Sequence, residues 1–235
     1  GNGSTGQSIT SLEFQPDLIW FKSRSHARNH SWWNSVVGRT KGLFGDVDEA
    51  EFTSAAGRDL ASFDTSGFTV GEPQNSSSTN NNNESLVAWC WKAGGSSNTF
   101  NVDGTGYASA SAAGITDGSI ALTGASVNTE AGFSIGTFQG TGSNGSIAHG
   151  LGRVPAMIVA KSRTHSDNWF VYHKDLGANA YIMLNQESTA DTSNSTVWQN
   201  VAPTSSVFYA STGGYNDSGE SLIFFCWAEI PGYSK

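Results

Sequence analysis

Short runs of apolar residues, separated by Gly, Asn, Ser and Thr, recur along the whole chain. The runs Leu18 to Phe21 and Met157 to Ala160 begin just after a proline, a position where strands can start. The segment Phe133 to Phe138 alternates apolar and polar residues, which is typical of a strand with one buried face. No long stretch repeats apolar residues at the helical period of 3.6. The pattern therefore predicts many short β-strands joined by tight turns.

The apolar pattern occurs twice, in the same order. The string Pro16 to His26 recurs as Pro155 to His165 at an offset of 139 residues, and Glu84 to Trp91 recurs as Glu220 to Trp227 at an offset of 136. Loop insertions and deletions in a duplicated domain produce such small drifts while keeping the order. We therefore expect an internal duplication, with two tandem β-sandwich modules of the jelly-roll kind.

Module boundaries follow from the repeat. The first module is expected at 1–93, a polar connector or hairpin rich in Gly, Ser and Thr at 94–131, and the second module at 132–235. Between the repeated strings, the pair Trp32-Trp33 is matched with Trp169-Phe170. The connector is expected to be a peripheral arm.

The two modules are unequal at one edge. The first has no counterpart of the strand Phe133 to Phe138, because the chain begins at the turn that follows it. We expect an open edge in the first module, or one filled by a strand from another chain or from upstream sequence, so the chain resembles a fragment of a longer array. The run Val87 to Trp91 is apolar on both faces, which predicts a central strand. The polar stretch Glu72 to Asn83 predicts a mobile loop.

Composition narrows the class of protein. Aromatic residues make up 11% of the chain, too many for a disordered protein. The net charge of -8, with no run of Lys or Arg, argues against nucleic acid and anionic membranes as partners. There is no 18-residue apolar run to cross a bilayer and no signal peptide. Cys90 and Cys226 each lie inside an apolar run, which favours free thiols packed as small hydrophobic groups over a disulfide between modules.

A candidate binding constellation recurs in both copies. Lys, Arg and His alternate after the Pro-led run, so on a strand they would share one face. Aromatic residues follow, and a flat ring beside polar groups is how proteins hold sugars. The alternative is structural, with the cations paired to Glu84 and Glu220 and the rings in the core. The candidate ligand-binding residues are Arg24, His26, Trp32, Trp33, Arg163, His165, Asp167, Trp169 and Tyr172.

Metal binding and catalysis have weaker support. Asp46, Asp48 and Glu49 form an acidic cluster of the kind that suits Ca²⁺, but a solvated turn explains it as well, and the second module has fewer carboxylates there. No cofactor is otherwise expected. No spacing selects a catalytic carboxylate pair, and there is no nucleophile elbow, zinc helix or phosphate loop. The sequence predicts a protein that is not an enzyme.

Seven strings in the second half of the chain carry a further signal: Thr129 to Ile135, His149 to Gly152, Lys161 to Arg163, Asp167 to Trp169, Val171 to His173, Pro203 to Phe208 and Cys226 to Lys235. Together they resemble a family of repeated modules in tail-fibre-like and other structural proteins of marine and environmental tailed phages. The resemblance covers nearly the whole chain and is strongest from Gly132 onward. It implies a concanavalin A-like sandwich and a virion surface protein, and it supplies no catalytic residues.

These observations lead to one expected function and two alternatives. The expected function is adhesion at the virion surface, by binding a host cell-surface glycan or receptor or by holding an appendage together with other virion subunits. The alternatives are a polysaccharide depolymerase and a purely structural spacer or capsid decoration. A homo-oligomer such as a trimer is possible for a phage fibre, although the sequence contains no heptads.

Overall fold

The computed structural model describes residues 1–74, 79–193, 196–232 and 234. These residues form 18 strands and no helix, so the all-β prediction is confirmed. Among them there is accordingly no helix that could cross a membrane. The loop predicted from Glu72 to Asn83 lies partly outside the described residues. The chain divides into two compact units, Gly1–Lys92 (unit 1) and Ala93–Lys235 (unit 2).

Unit 1 is a β-sandwich. Its strands are β1 (Gln7–Ile9), β2 (Leu18–Ser23), β3 (Ser31–Asn34), β4 (Lys41–Phe44), β5 (Phe52–Thr53), β6 (Leu60–Asp64), β7 (Gly67–Val70) and β8 (Leu86–Trp91). One antiparallel sheet has the order β5-β4-β3-β2-β8 and the other has the order β1-β7-β6. Inward side chains of both sheets, including Ile19, Trp33, Leu60 and Phe68, form one buried core.

Unit 2 contains a larger sheet. Its strands are β9 (Phe100–Val102), β10 (Thr105–Tyr107), β11 (Leu122–Asn128), β12 (Phe133–Gln139), β13 (Gly145–Ala148), β14 (Pro155–Ser162), β15 (Phe170–His173), β16 (Ile182–Met183), β17 (Val207–Ala210) and β18 (Ser221–Ala228). The main sheet has the order β10-β9-β11-β12-β18-β14-β15-β16, and β13 pairs with β17. The buried core takes side chains from both sheets, such as Phe138, Phe208 and Phe224.

The segment predicted as a peripheral arm is part of this sandwich. Strand β11 lies inside the main sheet, between β9 and β12. Val127 and Ala125 on this strand are buried, as is Phe100 on β9. A stretch with few large apolar residues can still be central, because close-packed neighbouring strands leave room only for small side chains.

The two units share part of their strand pairing. Ile19 on β2 pairs with Cys90, and Ile158 on β14 pairs with Cys226. The pairing Trp20–Trp32 corresponds to Val159–Val171, so the match of Trp32-Trp33 with Trp169-Phe170 is wrong by two residues. Trp33 instead occupies the position of Tyr172, since these residues pair with Ile19 and Ile158.

The Cys-Trp strands differ in their place within the sheet. Strand β18 is central, with β12 on one side and β14 on the other. Strand β8 is the terminal strand of its sheet, so the prediction of a central strand at Val87 to Trp91 is wrong. A run that is apolar on both faces shows that the faces are covered, but it does not show how many neighbours the strand has.

Candidate functional site

The turn after β2 and the turn after β14 make the same backbone hydrogen bond to the neighbouring strand. The Arg24 N–H donates to the Ser85 carbonyl at 2.7 Å, and the Arg163 N–H donates to the Ser221 carbonyl at 2.7 Å. Strands β2 and β14 end before these arginines. The expected strand face of Lys, Arg and His is therefore wrong, because Arg24, His26, Arg163 and His165 lie in a turn beyond the strand.

Buried glutamates hold the two turns in place. In unit 2, Nδ1 of His165 lies 2.8 Å from Oε1 of Glu220, whereas in unit 1 the corresponding His26–Glu84 distance is 3.9 Å. In unit 1, Arg28 compensates by donating from Nε and Nη2 to Oε1 of Glu84 at 2.9 and 2.6 Å. Burial raises the pKa of Glu84, but hydrogen bonds from Arg28 and Ser23 outweigh it and the net pKa is lowered. This geometry favours the structural interpretation of the cations.

The lysines of the repeated string donate hydrogen bonds to backbone carbonyls of the turns. Lys161 is fully buried, and its Nζ donates to the carbonyls of Ser162 at 2.8 Å and His165 at 3.2 Å. Lys22 donates to the Arg28 carbonyl at 3.2 Å. The ammonium groups thus satisfy turn carbonyls that the sheet leaves unpaired.

Asp167 occupies the place in unit 2 that Arg28 has in unit 1, at the repeat offset of 139 residues. Burial is the main cause that raises the pKa of Asp167, and the charge of nearby Lys161 opposes it. Its Oδ1 accepts the Asn168 N–H at 2.8 Å. A cationic residue in unit 1 is thus matched by an acidic residue in unit 2, so the two turns differ in charge at this position.

The aromatic candidates are buried. Trp33 and Trp169 have no exposed surface, and Trp32 and Tyr172 are 2% and 4% exposed. Trp33 and Tyr172 belong to the cores of unit 1 and unit 2, and Trp33 packs edge-on against Phe52 with ring centroids 5.3 Å apart. A sugar could not reach the faces of these rings without displacing the residues that cover them.

The acidic turn near β4 also has a structural role. Oδ1 of Asp46 accepts the His30 N–H at 2.7 Å, and in unit 2 the Asn185 amide oxygen accepts the Trp169 N–H at 3.0 Å. A neutral amide thus accepts the same backbone hydrogen bond as the carboxylate. Asp48 and Glu49 are exposed. Within the described residues, no three His, Cys, Asp or Glu side chains come together in a way that could hold a metal ion.

The outer face of the β2 sheet carries a row of three tryptophans. Trp20 lies between Trp32 and Trp89, with ring centroids 4.9 and 5.2 Å away, and the His30 ring lies 6.1 Å from Trp20. Trp89 is 45% exposed, Trp20 is half-buried and Trp32 is buried. We call these three residues the tryptophan row.

The tryptophan row exists in unit 1 alone. The paired positions in unit 2 hold Val159, Val171 and Phe225, all of them buried. Sequence reasoning missed Trp20 and Trp89. The alternation of side chains along β2 and β8 could have revealed them. Trp20 and Trp89 point to the face of the sheet opposite to the one that carries Ile19 and Cys90.

A second surface feature is a cleft beside β8 in unit 1, with a volume of about 580 Å³. Its apolar walls include Ile9, Leu12, Phe68, Ala88 and Cys90, while Arg24 and Glu84 also line it. In the described chain Cys90 and Cys226 are free thiols, as predicted. Burial raises the pKa of Cys90 to about 11, so the thiol is protonated at neutral pH.

The whole chain, residues 1–235, matches the family model described as "Domain of unknown function (DUF7483)", and the chain belongs to that family. No curated protein and no solved structure matches it.

Proposed function

We propose that this chain is a non-catalytic carbohydrate-binding module in which the exposed ring of Trp89 stacks on a sugar. The observation that carries the proposal is the tryptophan row, with Trp89 45% exposed at its end. Exposure of a large aromatic ring to water is unfavourable, and a ligand that covers the ring removes this free-energy cost. The apolar face of a pyranose can stack on such a flat ring. Trp20 supports Trp89 from one side and limits its rotamers.

Polar groups flank the row. Lys22 lies two residues beyond Trp20 on β2 and so shares its face, and His30 packs beside Trp20. Burial is the main cause that lowers the pKa of His30, which keeps the ring neutral and able both to donate and to accept. A ring with a cation and an imidazole beside it suits a glycan that carries hydroxyl or carboxylate groups.

The biological setting is part of the same proposal. The resemblance to phage structural modules supports a place at the virion surface, where the glycan would belong to the host cell. The strand pairing common to both units supports a duplicated jelly-roll module of the concanavalin A-like type. Other virion subunits, and a homo-oligomer such as a trimer, are the protein partners that this setting implies. Light scattering on the purified chain measures the oligomeric state.

Binding to an array of bacterial capsule and lipopolysaccharide fragments tests the proposal. We expect Trp89→Ala to weaken the Kd at least tenfold, about 1.4 kcal/mol, because it removes the stacking surface. Val154→Ala is the matched control, since Val154 is an exposed apolar residue of unit 2. An array on which nothing binds, or binding that Trp89→Ala leaves unchanged, would contradict the proposal. Release of reducing sugar from a bound polysaccharide would show an enzyme instead.

A structural role within an appendage is the second candidate. The observation in its favour is the terminal position of β8, which leaves one edge of a sheet available for another strand.

A further inference from the structure

Strand β8 has one hydrogen-bonding edge that no strand of the described chain occupies. It pairs with β2 along its whole length and ends the order of the sheet. Its counterpart β18 has the same neighbour on that side, β14, and pairs with β12 on the other. Backbone N–H and C=O groups on a free edge are a template for one more strand.

The side chains of β8 are correspondingly less buried than those of β18. Cys226 and Leu222 have no exposed surface, whereas Cys90 and Leu86 at the matching positions are half-buried. Trp89 is 45% exposed, while Phe225 at its position is fully buried. The apolar composition of β8 is therefore that of a strand with two neighbours.

The cleft of about 580 Å³ lies where a second neighbour would place its inward side chains. Leu86, Ala88 and Cys90, the inward residues of β8, form one wall of it. In unit 2 the corresponding residues are covered by β12: Phe138 pairs with Leu222, Gly136 with Phe224 and Ser134 with Cys226. The described part of unit 1 has this wall but no strand that covers it.

The backbone of Gly1 shows how such a strand would enter. The Gly1 nitrogen donates to the Glu84 carbonyl at 2.6 Å, as the Gly140 nitrogen does to the Glu220 carbonyl at 2.8 Å. The turn that follows is also the same, since the Gly3 N–H donates to the Asn80 carbonyl at 2.9 Å and Gly142 to Asn216 at 3.0 Å. In unit 2 the residue joined to the Gly140 nitrogen is Gln139, the last residue of β12.

From these observations we infer that the free edge of β8 and the cleft beside it receive one antiparallel strand with the apolar and polar pattern of β12, whose end lies beside the Gly1 nitrogen. Its last residue lies opposite Ser85, as Gln139 lies opposite Ser221. Its inward side chains fill the cleft and cover Cys90. The inference concerns assembly, but the strand would also place one outward side chain opposite Trp89, as Ile135 lies opposite Phe225 in unit 2. A bound strand should therefore reduce the exposure of Trp89 and weaken glycan binding.

The cleft also specifies the side chains of this strand. In unit 2 a Cβ on Gly136 would lie 2.3 Å from the Phe224 ring, so only glycine fits there. Unit 1 has Ala88 in place of Phe224, which leaves room. The incoming strand therefore carries an apolar side chain opposite Ala88 and not a glycine.

A second copy of the chain is a poorer occupant. Its own β12 already pairs with β11 on one edge and β18 on the other, so a second copy has no β12 strand to offer. Two β8 edges could pair with each other, but their inward residues would face their own clefts and leave both unfilled. Pairing between two copies would depend on protein concentration, whereas binding of a strand attached to the same chain would not.

The test adds seven residues, Phe-Ser-Ile-Val-Thr-Phe-Gln, directly before Gly1 of the full chain. We expect alkylation of Cys90 by iodoacetamide to slow at least tenfold, hydrogen exchange to slow across residues 86–91, and the unfolding midpoint to rise by about 5 °C or more. A matched control inserts one Ser between the heptapeptide and Gly1. This shift turns every side chain to the opposite face and should abolish the three effects.

Two further variants test the specificity. Glycine in place of the valine should protect Cys90 less, and Ala88→Phe should reverse that preference, because it restores the ring found in unit 2. If the extended chain fails to fold, the same heptapeptide added in trans to the unmodified chain should protect Cys90 in a saturable manner. Equal protection by the heptapeptide and its shifted control would overturn the inference. Protection of Cys90 in the unmodified chain that rises with its own concentration would assign the edge to a second copy and would also overturn it.

Discussion

The ring of Trp89 packs against Trp20 with centroids 5.2 Å apart, yet 45% of the surface of Trp89 stays exposed. Cross-strand aromatic pairs of this kind stabilise a sheet by about 0.5–1.5 kcal/mol. That gain does not require exposure of an indole face, and Phe225 at the same place in unit 2 is fully buried. Its exposure thus distinguishes Trp89 from the buried tryptophans Trp32, Trp33 and Trp169 that the sequence pattern selected.

The fully buried tryptophans, Trp33 and Trp169, should contribute strongly to stability. Trp33→Ala should lower the free energy of unfolding by about 3–5 kcal/mol, because it opens a large cavity in the unit 1 core. Trp169→Ala should act similarly in unit 2. Urea unfolding followed by circular dichroism measures both effects. Trp89→Ala is the comparison and should cost less than about 1 kcal/mol; a loss as small for Trp33→Ala would contradict the core assignment.

Acid should destabilise unit 2 through His149. Its Nε2 lies 3.1 Å from the Thr204 carbonyl and its Nδ1 accepts the Leu151 N–H at 3.2 Å, so the folded protein holds the neutral ring. Burial is the main cause that lowers the pKa of His149 to about 4 from 6.5. The unfolded chain therefore binds the proton first. The contribution of neutral His149 to the free energy of unfolding is fully present above pH 6.5. It is lost as the pH falls towards 4, and the total loss is about 3 kcal/mol.

The substitution His149→Gln isolates this effect. The variant should be less stable than the native protein at pH 7, yet its free energy of unfolding should change less between pH 6.5 and pH 4. Urea unfolding at a series of pH values measures the two slopes. Parallel slopes for the two proteins would show that His149 does not titrate in this range.

The Arg28–Glu84 pair should stabilise the first turn. Arg28→Ala removes two charged hydrogen bonds from the buried Glu84 carboxylate and leaves it with Ser23, which should cost about 2 kcal/mol at pH 7. The pKa of Glu84 is lowered in the folded state, so the contribution is present above its ordinary value and is lost as the pH falls below about 4.5. Arg24→Ala is the matched control, because Arg24 holds the turn through its backbone N–H. Equal losses for Arg28→Ala and Arg24→Ala in urea unfolding would contradict this account.

The acidic turn should need its hydrogen-bond acceptor but not its charge. Asp46→Asn should change stability by less than about 0.5 kcal/mol, since Asn185 accepts the equivalent N–H in unit 2. Asp46→Ala should cost about 1 kcal/mol. Scanning calorimetry with and without millimolar Ca²⁺ measures both. A marked rise in the unfolding temperature with Ca²⁺ that Asp46→Asn abolishes would instead show a metal site.

Much of the fold could be predicted from the sequence, and less of the candidate site. Alternation and turn residues predicted an all-β chain, and the two Cys-Trp runs became β8 and β18. The sequence did not show that β8 ends its sheet, because apolar residues on both faces say nothing about the edges of a strand. It also did not separate Trp32 from Trp33. These neighbours point to opposite faces, and only the register with Trp20 and Ile19 shows which face is the core.

The central claim is that the tryptophan row binds carbohydrate. Its most direct test is isothermal titration of the double variant Trp20→Val, Trp89→Phe, which gives unit 1 the residues found at these positions of unit 2, Val159 and Phe225. The probe is the capsule or lipopolysaccharide fragment that binds the native chain best on the array. We predict a Kd at least tenfold weaker, with an unchanged circular dichroism spectrum. A Kd within twofold of the native value would contradict the claim.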